Sequence, residues 1–191
     1  TAIPIHDSTK PYQQIPFQFS LHVVENGETK HYSFLASSNG DPRAEFLKEL
    51  KKVLRDKGSV VVFNQAFEKM ILKQLAEEYP NYKGWVESVF VRIVDLLIPF
   101  RNFHYYNPIQ KGSASIKKVL PALTGKGYGE MNINNGEFAS ILFRKSVFDK
   151  MPAEEVRKIH KDLEDYCCLD TEGMIWIVDE LKEIVKLRKS H

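Results

Sequence analysis

Phe17, Phe19, Leu21 and Val23 alternate with Gln18, Ser20 and His22, the period of two that buries one face of a β-strand. Glu25-Asn26-Gly27-Glu28 is a turn signal, and His31-Tyr32-Ser33-Phe34-Leu35 beyond it completes a β-hairpin with one buried face. After the breaker Asn39-Gly40-Asp41-Pro42, the spacing of Phe46, Leu47, Leu50, Val53 and Leu54 predicts a helix over 44–56 that Gly58 ends. Ser59-Val60-Val61-Val62-Phe63 reads as a strand buried on both faces. Phe67, Met70, Ile71, Leu72 and Leu75 give the next helix, stopped at Tyr79-Pro80, and 91–95 a second buried strand. Residues 102–113 read as an exposed loop, Ser115 as the cap of a short helix through Ala122, and Gly125-Lys126-Gly127-Tyr128-Gly129 as a further loop. Helical patterns then cover 138–147, 152–168 and 171–187. Antiparallel strands, then α/β alternation, then helices predict one α/β domain over 1–191.

Composition narrows the function classes. With 43% hydrophobic and 27% charged residues among 191, the chain has ample material for a core, and disorder is excluded. Its 27 Lys+Arg against 25 Asp+Glu leave a net charge of +2, so any basic surface must be local. The longest apolar runs fall well short of the roughly 18 residues of a membrane span, and no signal peptide opens the sequence. Cys167 and Cys168 are adjacent and have no distant partner, so two free thiols and a reducing, cytoplasmic setting are expected. The six histidines lie apart from one another and from a second Cys pair, so the spacing offers no zinc motif. No nucleophile elbow or phosphate-cradling Gly-Lys-Ser/Thr loop is present, which leaves acyl transfer and P-loop hydrolysis without support.

Three constellations could carry chemistry. In Asn64-Gln65-Ala66-Phe67-Glu68 a helix starts at the carboxyl end of a buried strand, the edge at which α/β sheets place their sites. Glu68, one turn beyond Asn64, would face that crevice; equally, Asn64 would be an N-cap and Glu68 a favourable first-turn charge. In Tyr166-Cys167-Cys168-Leu169-Asp170 the phenol and the carboxylate share a helical face. A carboxylate there can hold a divalent metal and a phenol can orient an attacking water; the alternative is an amphipathic helix with a buried Tyr and an Asp that caps the following helix. In Ile93-Val94-Asp95 an acidic residue leaves a strand, as a cap or as a group that orients a ligand. Between these lie Arg101, His104, Tyr105, Lys111, Lys117 and Lys118, cations interleaved with rings as on single-strand-binding surfaces and, equally, in ordinary solvated loops.

In order, Asn64-x-x-Phe67-Glu68, Ile93-Val94-Asp95, Ser115-Ile116-Lys117-Lys118-Val119-Leu120 and Tyr166-x-x-x-Asp170 resemble the later motifs of the DEDD 3′-to-5′ exonucleases. The stretches from Pro11 to His22 and from Gly112 to Leu123 resemble an uncharacterised, mostly bacterial domain of unknown function placed near the DnaQ-like exonucleases. The resemblance implies an RNase H-like mixed sheet flanked by helices and a four-carboxylate site for two Mg²⁺ or Mn²⁺ ions that hydrolyses single-stranded DNA or RNA. Glu68 and Asp170 would be metal ligands and Tyr166 the orienter of the water, with Asn64 and Asp95 in support. The superfamily opens with a strand carrying Asp-x-Glu, and no such motif precedes Tyr12; Asp7 stands alone. The implied expectations are therefore an N-terminally truncated exonuclease-like domain or, alternatively, a non-catalytic nucleic-acid-binding or interaction module of a longer nuclease protein. Sheet edges left unpaired by the missing strand would be covered by a second copy of the chain or by other domains.

Overall fold

The computed structural model of the chain describes His6 and residues 9–37, 39–129 and 131–189; Asp7 lies outside them. β1 (Gln18–Glu25) and β2 (Glu28–Leu35) form the expected antiparallel hairpin, in a register that sets Phe19 opposite Phe34 and His22 opposite His31. Asn26 and Gly27 both take positive φ, 53° and 82°, the two-residue turn whose twist matches the flanking strands. Phe19 and Phe34 pack on Phe46 of α1 (Arg43–Val53). The polar face of the hairpin also meets α7 (Ala153–Lys189) at Ser20 and His22, while Val24, Thr29, His31 and Ser33 on it stay exposed, so the single buried face expected from alternation gains a partly covered second one.

α1 feeds β3 (Val60–Val62), which pairs in parallel with β4 (Ile93–Asp95). Between them run α2 (Gln65–Glu78) and α3 (Lys83–Phe90), the latter unforeseen within the connection. Both strands are three residues long and half-buried rather than fully buried, with Val94 47% exposed. The described strands lie in two two-stranded sheets, β1-β2 and β3-β4, within a mixed α/β architecture. Val60 and Ile93 pack on one core with Leu47, Leu75 and Val89, and Val61 and Phe63 on a second with Phe100, Leu120 and Ile177. The parallel pair thus stands between two apolar clusters, which fixes where its carboxyl ends point.

α4 (Leu97–Arg101) and a 3₁₀ turn at Pro108–Gln110 give local order to the stretch expected to be loop. Gln110 is buried there, and its side chain and that of Asn107 cap one another's backbone. α5 (Ile116–Thr124) starts after Ser115 as expected, but the Ser115 hydroxyl makes no capping bond. α6 (Gly136–Phe148) follows. The last two expected helices are one: α7 runs unbroken for 37 residues. No proline interrupts it, and the Thr171 hydroxyl bonds back to the carbonyls of Cys167 and Cys168 instead of opening the turn. Asp170 therefore caps nothing. α7 crosses two cores, with Leu163 in the one beneath α6 and Ile177 in the one beneath α5, and Tyr166 touches both.

Candidate functional site

Asn64 ends β3 in a left-handed conformation, φ 92° and ψ 73°, and its side chain does not cap α2. The cap comes from the neighbouring strand. The Asp95 carboxylate accepts hydrogen bonds from the backbone N–H of Asn64 at 2.9 Å, Gln65 at 3.0 Å and Leu97 at 2.9 Å. Desolvation opposes its charge, but the three N–H groups, aided by Arg101, hold the carboxyl below its ordinary range. Asp95 thereby ties the start of α2 to the end of β4 and sets the direction in which the first turn of α2 projects.

Glu68 stands on that turn. Burial alone pushes its carboxyl up from the ordinary value, and among the described residues no hydrogen bond or ion pair reaches it. Asp170, on α7, is raised by burial too, against the opposing pull of Tyr128, Lys117 and Tyr166. The Tyr128 hydroxyl donates to its Oδ1 at 2.5 Å, and the Tyr166 phenol also acts on this carboxylate. Both phenols are raised in turn, by desolvation first and then by the Asp170 charge. Lys117 lies 5.7 Å above the Tyr166 ring and adds its charge to Asp170.

Both carboxylates act electrostatically on Cys167. Its thiol is pushed up to about 12 by burial, then by Asp170 and Glu68, so it stays protonated and inert. The first turn of α2, beyond the carboxyl end of β3, thus carries Glu68, and the middle of α7 carries Asp170 with a phenol pair and one lysine around it.

Of the residues expected to bind nucleic acid, Lys117 alone reaches this centre. Arg101 acts on Asp95, and Tyr105 is half-buried with its ring edge against Phe100, 5.9 Å away. His104, Lys111 and Lys118 are exposed. Phe103 and Tyr106, in the same stretch, are exposed with ring centroids 5.7 Å apart. Tyr128 was missed by sequence reasoning; its one signal is a lone aromatic residue inside a glycine-rich loop. A cavity lined by Phe17, Phe143, Arg144 and Phe148 contains none of the expected site residues.

Residues 1–115 match the model of a family described as a domain of unknown function, DUF2779. The chain belongs to this family. The DUF2779 chain is 25% identical over 206 residues to an uncharacterised protein of Mycoplasma pneumoniae and 27% identical over 208 residues to one of Mycoplasma genitalium. Each alignment covers 97% of this chain and 31% of the relative. An uncharacterised protein of Ureaplasma parvum is 25% identical over 209 residues, 97% of this chain and 30% of its own. The DUF2779 chain therefore spans under a third of the length of these relatives. No solved structure matches it. These relatives are uncharacterised, and neither they nor the family description links the chain to the DnaQ-like exonucleases. Among the described residues no helix is long and apolar enough to cross a membrane.

Proposed function

We propose that this chain is a metal-ion-dependent 3′-to-5′ exonuclease domain of a longer protein, hydrolysing the phosphodiester bonds of single-stranded DNA or RNA. The observation that carries this reading is the pair of half-buried carboxylates, Glu68 and Asp170, both raised by desolvation and both acting electrostatically on Cys167. A half-buried carboxylate such as Glu68, with no donor or cation beside it, is costly, and a hard divalent cation is the partner that relieves the cost. Mg²⁺ and Mn²⁺ take oxygen ligands, which Glu68 and Asp170 supply; the protonated Cys167 thiol would not compete. Such ions activate a water and stabilise the leaving oxygen of an in-line displacement.

The chain's own residues set the geometry. Asp95 fixes the first turn of α2 and hence Glu68. Tyr128 donates to Asp170 and fixes its carboxylate plane. Tyr166 lies beside the same carboxylate, where its hydroxyl can hold a water. Lys117 supplies positive charge toward a phosphate, and the exposed Phe103 and Tyr106 offer faces on which unpaired bases stack. Two ions need more carboxylates than these two; in this reading the remainder come from another stretch of the longer protein or from a second copy.

The test is digestion of 5′-labelled single-stranded DNA and RNA with Mn²⁺ by the longer protein that carries this domain. Trimming from the 3′ end that falls by more than about 100-fold in Glu68→Gln and in Asp170→Asn is the expected result. Cleavage unchanged by both substitutions would sink the assignment. A second reading rests on Asp95 being spent on backbone N–H groups, which leaves two carboxylates for metal: a module that binds strands without cutting them. Retardation of the strand without metal, weakening as salt rises, with no cleavage by the longer protein, would favour it.

A further inference from the structure

His22 and His31 face one another across the hairpin, their rings stacked with centroids 4.5 Å apart. α7 lays Cys168 against them, its Sγ 4.0 Å from His22 Nε2. One potential ligand atom from each of the three residues lies within 4.8 Å of the other two. Residues 22, 31 and 168 are far apart in sequence, so no spacing motif exists; strand register and helix packing assemble the group.

The surrounding hydroxyls prepare it. His31 Nε2 is 2.9 Å from Ser20 Oγ, Ser20 Oγ is 2.7 Å from Thr171 Oγ1, and His22 Nδ1 is 2.8 Å from Thr171 Oγ1. Thr171 donates to the Cys168 carbonyl at 3.1 Å, so its oxygen is left to accept. The network then assigns the protons in one direction: His31 Nε2–H to Ser20, Ser20 O–H to Thr171, and His22 Nδ1–H to Thr171. Each imidazole thus has one nitrogen engaged by a hydroxyl and the other open to a ligand. Hydrogen bonds of this kind to the far ring nitrogen are how proteins orient metal-binding histidines.

We propose that His22, His31 and Cys168 form a binding site for a borderline divalent metal of the Zn²⁺ type, separate from the carboxylate pair and independent of the nuclease reading. Two imidazoles and a thiolate select Zn²⁺ over Mg²⁺ or Ca²⁺. Tetrahedral coordination at ordinary Zn–N and Zn–S lengths holds ligand atoms roughly 3.3–3.8 Å apart, so the three groups need close by only about 1 Å. Binding releases the Cys168 proton to solvent. Glu172, one helical turn beyond Cys168, acts electrostatically on both Cys168 and His22, and three protein ligands leave the fourth position of the ion to water. The ion would pin α7 to the hairpin one residue from Cys167 and two from Asp170, bracing the carboxylate centre without joining it.

Titration of the chain with Co²⁺ tests this, since a cobalt–thiolate bond gives a near-ultraviolet charge-transfer band. One equivalent of Co²⁺, displaced by Zn²⁺, is expected to give that band. It should vanish in Cys168→Ser and persist in Cys167→Ser, Glu68→Gln and Asp170→Asn, with affinity at least about tenfold weaker in His22→Gln and His31→Gln. Circular dichroism shows whether each variant is folded. A second measurement needs no variant: Zn²⁺ should protect Cys168 of the native chain from alkylation, read by peptide mass spectrometry. Absence of the band together with absence of protection, or a band that survives Cys168→Ser, would overturn the proposal.

Discussion

Asp95 and Glu68 are both desolvated, and the presence or absence of hydrogen-bond donors moves their carboxyls in opposite directions. Asp95 is held charged by three backbone N–H groups. Its contribution to stability is present above the usual Asp range and lost as pH falls through its depressed folded value. Asp95→Ala should therefore cost about 1–3 kcal/mol at neutral pH, and the gap to wild type should narrow in acid denaturation series below about pH 4. Glu68 is the reverse case: its folded carboxyl is raised, so its charge is a penalty that grows as pH rises through the usual Glu range and stays above it. Glu68→Gln should raise the melting temperature at pH 7, with the difference vanishing toward about pH 3. A variant less stable than wild type at pH 7 would mean that Glu68 has a favourable partner. Sequence patterns located both residues, since strand ends and first helical turns are readable from hydrophobic runs. They did not assign the cap, because Asn64 is the usual capping type and the actual capping group arrives from a strand 31 residues away.

At the level of elements, the informative one is α7. Two helices are expected on either side of Leu169-Asp170, where the pattern is weakest, yet a single helix forms because its stripe has two cores to cover. Gly173 shows why this segment breaks the pattern. A Cβ placed there would sit 2.9 Å from Cδ2 of Leu120, which is fully buried. The glycine permits close approach of α7 to α5 and so brings Tyr166 and Asp170 to Tyr128. Gly173→Val should destabilise the fold by about 1–3 kcal/mol by overpacking, outweighing any gain from removing glycine from a helix. Chemical denaturation would read this, and a neutral or stabilised variant would show that α5 and α7 can part without cost. The hairpin was legible down to its Asn-Gly turn, since alternation and turn chemistry are local. Its polar face was misread because Ser20 and His22 are satisfied by Thr171 and Cys168 of α7, a pairing invisible at short range.

For the whole molecule, the order of elements follows from the hydrophobic pattern, whereas the packing of α5 against α7 follows from tertiary contacts. The carboxylates were singled out from motif order; Tyr128 and the His22–His31–Cys168 group emerge only from tertiary contacts between segments far apart in the chain. The reading as a nuclease domain stands on the claim that Glu68 and Asp170 serve a divalent cation, and this holds whichever nucleic acid is the substrate. The most direct test is electron paramagnetic resonance of free Mn²⁺ titrated into the longer protein and into its Glu68→Gln and Asp170→Asn variants. The account predicts that the wild-type protein removes Mn²⁺ from the free signal and that each substitution weakens this by at least about tenfold, while Cys168→Ser leaves it intact. Mn²⁺ uptake that neither substitution changes, or no uptake at all, would contradict it.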